Sequence, residues 1–202
     1  MSRATRSRVL AGWGGLFLTL AACKYDDVVR VVRIKSNGTG VSAIVATNIR
    51  DDKKSRAEIL SAIQKHCRDE RAKANKDPTT RLLNCGPGTL PPLFSNLVGP
   101  PARRGTLDFA KTIASSNPYK LLTDMAVKGS SGTPKLLELV HTRQSFRIRG
   151  LLQSGPSEAG SCSFLIQAPG QIKHTNADMV FRRYNIGAWN CNPNKVGKSF
   201  RV

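Results

Sequence analysis

Hydrophobic and polar positions change period several times along the chain, and each change predicts an element. Val28 to Lys35 reads V-V-R-V-V-R-I-K, Val41 to Ile49 is a second β-rich run, and Ser36-Asn37-Gly38-Thr39-Gly40 lies between them. β-branched residues suit a pleated surface, so the pair predicts an antiparallel hairpin. From Ser55 the period becomes helical. Ser55 and Glu58 form the capping box S-R-A-E, and Ile59, Leu60, Ile63 and Cys67 share one face of a helix that runs to Ala74. Asp77-Pro78 stops it.

Thr106 to Ser115 reads as a short helix. Asn117-Pro118 opens another, with Leu121, Leu122, Met125 and Ala126 as its stripe and Gly129-Ser130-Ser131-Gly132 as its end. The run L-L-E-L-V near Glu138 suits helix or strand. Ser145 to Leu151 alternates, with Phe146 and Ile148 on one face and Arg147 and Arg149 on the other. Cys162, Phe164 and Ile166 alternate likewise. Met179 to Ile186 reads as one further strand, with Phe181 and Tyr184 on opposite faces. Residues 86–105 combine Gly and Pro with large apolar residues, which predicts an extended segment pinned to the core. The tail from Trp189 to Val202 reads as a surface segment tied by Cys191. The sum is an α+β fold, an antiparallel sheet with helices packed on one side.

The start of the chain has a different pattern. Arg3, Arg6 and Arg8 precede an apolar run from Val9 to Ala22, too short to span a bilayer but suited to a signal segment. The run ends in Leu20-Ala21-Ala22-Cys23. These residues resemble the lipobox of bacterial lipoproteins. The resemblance implies a cleaved signal peptide over residues 1–22, a diacylglycerol thioether on Cys23, an acyl chain on its amino group, and one lipid-anchored domain over residues 23–202. Two or three acyl chains anchor a protein stably where one does not. Lys24 after the lipidated position favours the outer membrane over the inner. The layout of Cys23, a hairpin over residues 28–49 and a Cys67-bearing helix also resembles short lipoproteins of phages and prophages. That likeness implies superinfection or entry exclusion as an alternative role.

Charge narrows the class of partner. The chain carries 32 Lys and Arg against 13 Asp and Glu, a formal charge of +19. Residues 81–202 hold 16 of the bases and only 5 of the acids. A basic surface attracts polyanions. At an envelope address these are anionic lipid, lipopolysaccharide or an acidic envelope protein, and nucleic acid is not expected. The candidate contacts are Arg147 and Arg149 on one strand face, Arg182, and Arg103 and Arg104 in the Pro-rich segment.

With Cys23 assigned to lipid, Cys67, Cys85, Cys162 and Cys191 remain. An even number in an oxidising compartment reads as two disulfides, with three possible pairings. Cys67 with Cys85 and Cys162 with Cys191 close the short local loops and are favoured. The absence of any C-x-x-C argues against a zinc site. His66, His141 and His174 have no G-x-S-x-G motif to serve, and His66 reads as a surface residue beside Cys67. Val196-Gly197-Lys198-Ser199 lacks the first Gly of a P-loop. No catalytic residue, metal or cofactor is therefore assigned. A non-enzymatic, lipid-anchored binding or structural protein of the cell envelope is the leading reading, and a lipid-anchored hydrolase the last alternative.

Overall fold

The computed structural model describes residues 23–88, 105–123, 137–142, 146–151, 159–191 and 199–201. In chain order these form β1 (Tyr25–Ile34), β2 (Gly40–Ala46), α1 (Arg56–Asn75), β3 (Thr80–Pro87), β4 (Phe109–Ser115) and α2 (Pro118–Thr123). There follow β5 (Glu138–His141), β6 (Phe146–Leu151), β7 (Ala159–Gln167), β8 (Met179–Phe181), a 3-10 turn (Arg182–Tyr184), β9 (Ile186–Asn190) and β10 (Ser199–Arg201). The larger sheet has the order β3-β4-β2-β1-β7-β9-β8, and the smaller β10-β6-β5. The signal segment and the Gly129–Gly132 stop lie outside the described residues, as do residues 89–104 of the Pro-rich segment.

The local predictions hold where local chemistry decides. β1 and β2 form the hairpin in register from Val28 opposite Ala46 to Ile34 opposite Gly40, and Gly38 takes the positive φ of its turn at 80°. Helix α1 starts on its capping box: Ser55 Oγ accepts the Glu58 N–H at 3.3 Å, and the Glu58 carboxylate accepts the Ser55 N–H at 2.7 Å. Asn117 Oδ1 caps α2 by accepting the Tyr119 N–H at 3.1 Å.

Four expectations are corrected. The larger sheet is mixed, because β1 takes antiparallel β2 on one edge and parallel β7 on the other, from Tyr25 opposite Ala159 to Arg33 opposite Gln167. Alternating burial is the same for either strand direction, so the pattern could not choose between them. Thr106 to Ser115 contributes strand β4, which lies between β3 and β2 and is buried on both faces, which erases the two-residue period. Met179 to Ile186 is no single strand: Asn185 adopts φ 53° after the 3-10 turn and folds the run into an antiparallel β8–β9 hairpin. The tail is structural at both described ends, with Trp189 fully buried and Ser199–Arg201 forming a sheet strand.

The core has two main clusters. Ile59 and Ile63 of α1 pack with Val28, Ile44, Ala46, Phe109 and Cys23. Leu121 and Leu122 of α2 pack with Val32, Ile34, Phe164, Ile166 and Trp189, and Leu137 and Ile148 bring the smaller sheet into the same cluster. Close approach sets one sequence requirement. A Cβ on Gly40 would lie 2.6 Å from the Arg33 carbonyl and 2.6 Å from Leu121 Cδ1, so only glycine lets α2 sit there. Burying a large apolar side chain contributes about 1.5–3 kcal/mol, so these residues dominate the stability of the fold.

Candidate anion-binding interface

The smaller sheet presents three arginines on one outer face. In β6, Ile148 is buried while Arg147 and Arg149 are exposed, as the alternation predicts. Register then adds a residue that the sequence did not reveal. Arg149 pairs with Glu138 of β5 on one side and with Arg201 of β10 on the other. Paired residues share a face, so Arg147, Arg149 and Arg201 point together into solvent. Arg201 stands in a strand of only three residues, too short to show a period.

Among the described residues of this sheet, one acid stands with them. Glu138 Oε2 lies 3.3 Å from Arg149 Nη1, with the two side chains 59% and 55% exposed. Such a surface pair contributes little, so the face keeps a positive field. Val140 lies opposite Arg147 and is 48% exposed, adding an apolar spot to the basic face. The backbone of Arg201 is fixed from the larger sheet's side. Its N–H donates to Asn176 Oδ1 at 2.8 Å and its carbonyl accepts the Thr175 hydroxyl at 2.7 Å.

Arg182 is exposed, but it belongs to the turn after β8 in the larger sheet. Two of the five candidates, Arg147 and Arg149, thus share one face, and Arg182 stands on another sheet. Arg103 and Arg104 lie outside the described residues.

Cys23 is wholly buried among Tyr25, Ile49 and Ile59, and its Sγ–H points at Asp51 Oδ2 at 3.7 Å. Burial first, and the Asp51 carboxylate second, push its thiol up to about 11. Burial also drives the Tyr25 phenol upward. Asp51 is held below the usual carboxylate range, first by the Lys53 N–H it accepts at 2.8 Å. There is no slack between this residue and the fold. Lys24 exchanges both backbone hydrogen bonds with Arg50, at 2.7 and 3.1 Å, and β1 begins at Tyr25.

The four remaining cysteines are joined as two local disulfides, Cys67–Cys85 and Cys162–Cys191, with Cα separations of 5.5 and 5.1 Å. The first ties α1 to β3 and the second closes the end of β7 against β9.

His66 is not at the surface. It is 3% exposed, edge-on to Phe109 at a centroid distance of 5.9 Å, and its Nε2 has no partner among the described residues. Lys111 Nζ and Lys73 Nζ both lie 2.8 Å from the Glu70 carboxylate in the same patch. Burial, reinforced by the Lys111 charge, lowers His66 to about 4. Glu70 is held at about 2: burial opposes its ionisation most strongly, but the charges and hydrogen bonds of Lys111 and Lys73 together outweigh that penalty. The signal missed was position, since His66 lies three residues after Ile63 on the inner face of α1. The imidazole therefore packs in its neutral form beside the Lys111–Glu70 pair. His174 is exposed, and His141 ends β5. Among the described residues, no group of three His, Cys, Asp or Glu could hold a metal ion, and no helix is long and apolar enough to cross a membrane.

No protein-family model matches the chain, and no curated protein does. Among solved structures, the NMR structure of the folded domain of the Mycobacterium tuberculosis LppM protein is similar at 15% identity and a TM-score of 0.44, covering 88% of each chain. At that identity no residue's role passes from one chain to the other.

Proposed function

We propose that this chain is a lipid-anchored protein of the bacterial cell envelope, on the outer membrane in preference to the inner, that works by binding and not by catalysis. Leu20-Ala21-Ala22-Cys23 behind a basic, apolar leader supports the anchor. The observation that carries the binding role is the outer face of the smaller sheet, where Arg147, Arg149 and Arg201 gather around one acid. Its partner is an anionic component of the envelope: lipid headgroups, lipopolysaccharide phosphates or an acidic protein. Helices α1 and α2 back the same face of the larger sheet in this reading, since Phe109 and Ile44 under α1 share register rows with Ala46 and Lys111, and Gly40 under α2 lies on the same strand at the same parity.

The test for the anchor is lipid labelling of cells that express the chain with Cys23 or with Cys23→Ala. Label should be lost with Cys23, and a variant that still takes label and sediments with membranes would end this reading. The test for the basic face uses the Cys23→Ala chain without its leader, mixed with vesicles with or without anionic lipid or lipopolysaccharide. Each arginine near an anionic surface is worth about 1 kcal/mol, so Arg147→Gln/Arg149→Gln/Arg201→Gln should weaken binding about 100-fold. Binding should also fall with salt, because exposed charges are screened beyond about 8 Å at physiological ionic strength. Binding indifferent to salt and to the triple substitution would leave the face as solvation alone.

A further inference from the structure

The larger sheet ends in a short hairpin that the proposed function does not use. Strand β8 is last in the strand order, so among the described strands its outer backbone edge pairs with none. Met179 and Phe181 share one face of it and are 57% and 42% exposed. Tyr184, in the turn that follows, is 48% exposed, and the Arg183 guanidinium lies over its ring at 5.8 Å. Arg182 is exposed beside it. Residues 159–191 hold one acid, Asp178, and its carboxylate accepts the Asn190 N–H at 2.8 Å. Exposed edge strands invite pairing with another strand unless charge or a cover blocks them. Here Asp178 is turned to the β9 backbone and two arginines outnumber it, so the edge is net positive, which disfavours a second copy of this chain and favours an acidic strand.

Position decides between a membrane and a protein as the occupant. Phe181 is level with Arg33, through Ile186 and Gln167, whereas Cys23 lies beyond the opposite end of β1. From Tyr25 to Arg33 the sheet rises about 26 Å, at roughly 3.3 Å per residue. The backbone bonds between Lys24 and Arg50 leave no spacer. On the proposed anchoring at Cys23, the bilayer that holds the protein meets the Cys23 end, and the β8 edge faces away from it.

We propose that the β8 edge with its Arg182–Tyr184 turn is a docking surface for an acidic, extended protein segment, presented at the end of the domain remote from the anchor. The segment adds a strand to β8, sets apolar side chains on Met179 and Phe181, and places carboxylates against Arg182 and Arg183. Main-chain hydrogen bonds supply the affinity and the charges supply the selection.

The experiment uses the full lipidated chain in nanodiscs of phosphatidylcholine and three fluorescent peptides: one alternating Glu and Val, its Lys and Val counterpart, and a Glu and Val peptide interrupted by Pro. Anisotropy should show binding of the first only. Phe181→Asp, and separately Arg182→Gln/Arg183→Gln, should each weaken it about tenfold or more. Binding lost instead with Arg147→Gln/Arg149→Gln, with the β8 variants unaffected, would seat the peptide on the smaller sheet's basic face and overturn the proposal. Equal binding of the Pro-interrupted peptide, or no effect of either β8 variant, would overturn the proposal. So would anionic vesicles competing at these same residues, which would make a membrane the occupant. Retention of the chain in the nanodisc reports on the lipid anchor separately, so a failed anchor and a failed docking edge give different results.

Discussion

Trp189 donates its indole N–H to Asn176 Oδ1 at 3.2 Å, and the same oxygen accepts the backbone N–H of Arg201 at 2.8 Å. One side-chain atom thereby joins the buried end of the larger sheet to the edge strand of the smaller one. Asn176→Ala removes that acceptor from an indole that is 1% exposed. The expected cost is about 1–3 kcal/mol in urea unfolding, and the proposed binding of anionic vesicles should weaken in parallel as Arg201 is released. Asn176→Asp keeps an acceptor and should restore most of both.

The two disulfides should appear in non-reducing peptide maps of the purified protein as Cys67 with Cys85 and Cys162 with Cys191. They close 18- and 29-residue separations, and each should contribute about 3 kcal/mol by constraining the unfolded chain. Paired Cys→Ala variants, followed by denaturant titration, measure this. Crossed pairs or free thiols would contradict the connectivity.

Acid should weaken the fold through His66. Its folded value of about 4 lies below the ordinary 6.5, so the unfolded chain binds more protons between those values. The stabilisation is complete above pH 6.5 and is lost as pH falls toward 4, reaching about 2 kcal/mol by pH 5. His66→Leu should flatten the dependence of unfolding free energy on pH in that window, whatever it does to stability at pH 7. An unchanged slope would show that His66 is not the titrating group.

Lys111→Met should cost about 3 kcal/mol, because it leaves the Glu70 carboxylate, 15% exposed, without its nearest buried cation. Lys111→Met/Glu70→Gln should recover much of the loss. A single variant as stable as the parent would show that Lys73 alone suffices.

The Cys23 thiol of unlipidated protein should resist alkylation. With its pKa pushed up to about 11, only about one molecule in a thousand is thiolate at pH 8. Asp51→Asn removes the neighbouring carboxylate and should speed the reaction, and denaturant should speed it further. Fast labelling of the folded parent would show that the residue is already turned out to solvent.

What could be read ahead of the structure was whatever neighbouring residues decide among themselves. Ser55 and Glu58 announce a helix start because the two groups satisfy each other's orphan donors. Arg147 and Arg149 announce an outward face because Phe146 and Ile148 alternate with them. The even cysteine count and short loops sufficed for the disulfides. Arg201 was out of reach because its place beside Arg149 depends on pairing between residues far apart in the chain. Strand β4 was misread because Phe109, Ala110, Lys111 and Thr112 are all buried, so polar and apolar residues do not alternate with the period of two. His66 was misplaced because a polar ring looked like surface, although the helix turns it inward.

The parallel pairing of β1 with β7 has a further consequence, for how the protein is made. Asp27 of β1 accepts the hydroxyl of Ser161 across a separation of 134 residues. Whether the chain leaves a ribosome or a membrane channel, its N-terminus emerges first. Strand β1 then waits, one edge bare, until about two-thirds of the polypeptide has followed. Distant pairings of this kind form slowly, and an unpaired apolar edge invites aggregation in the interval. A holding chaperone thus has a long interval in which to act on the nascent protein, and depletion of such chaperones should raise its insoluble fraction.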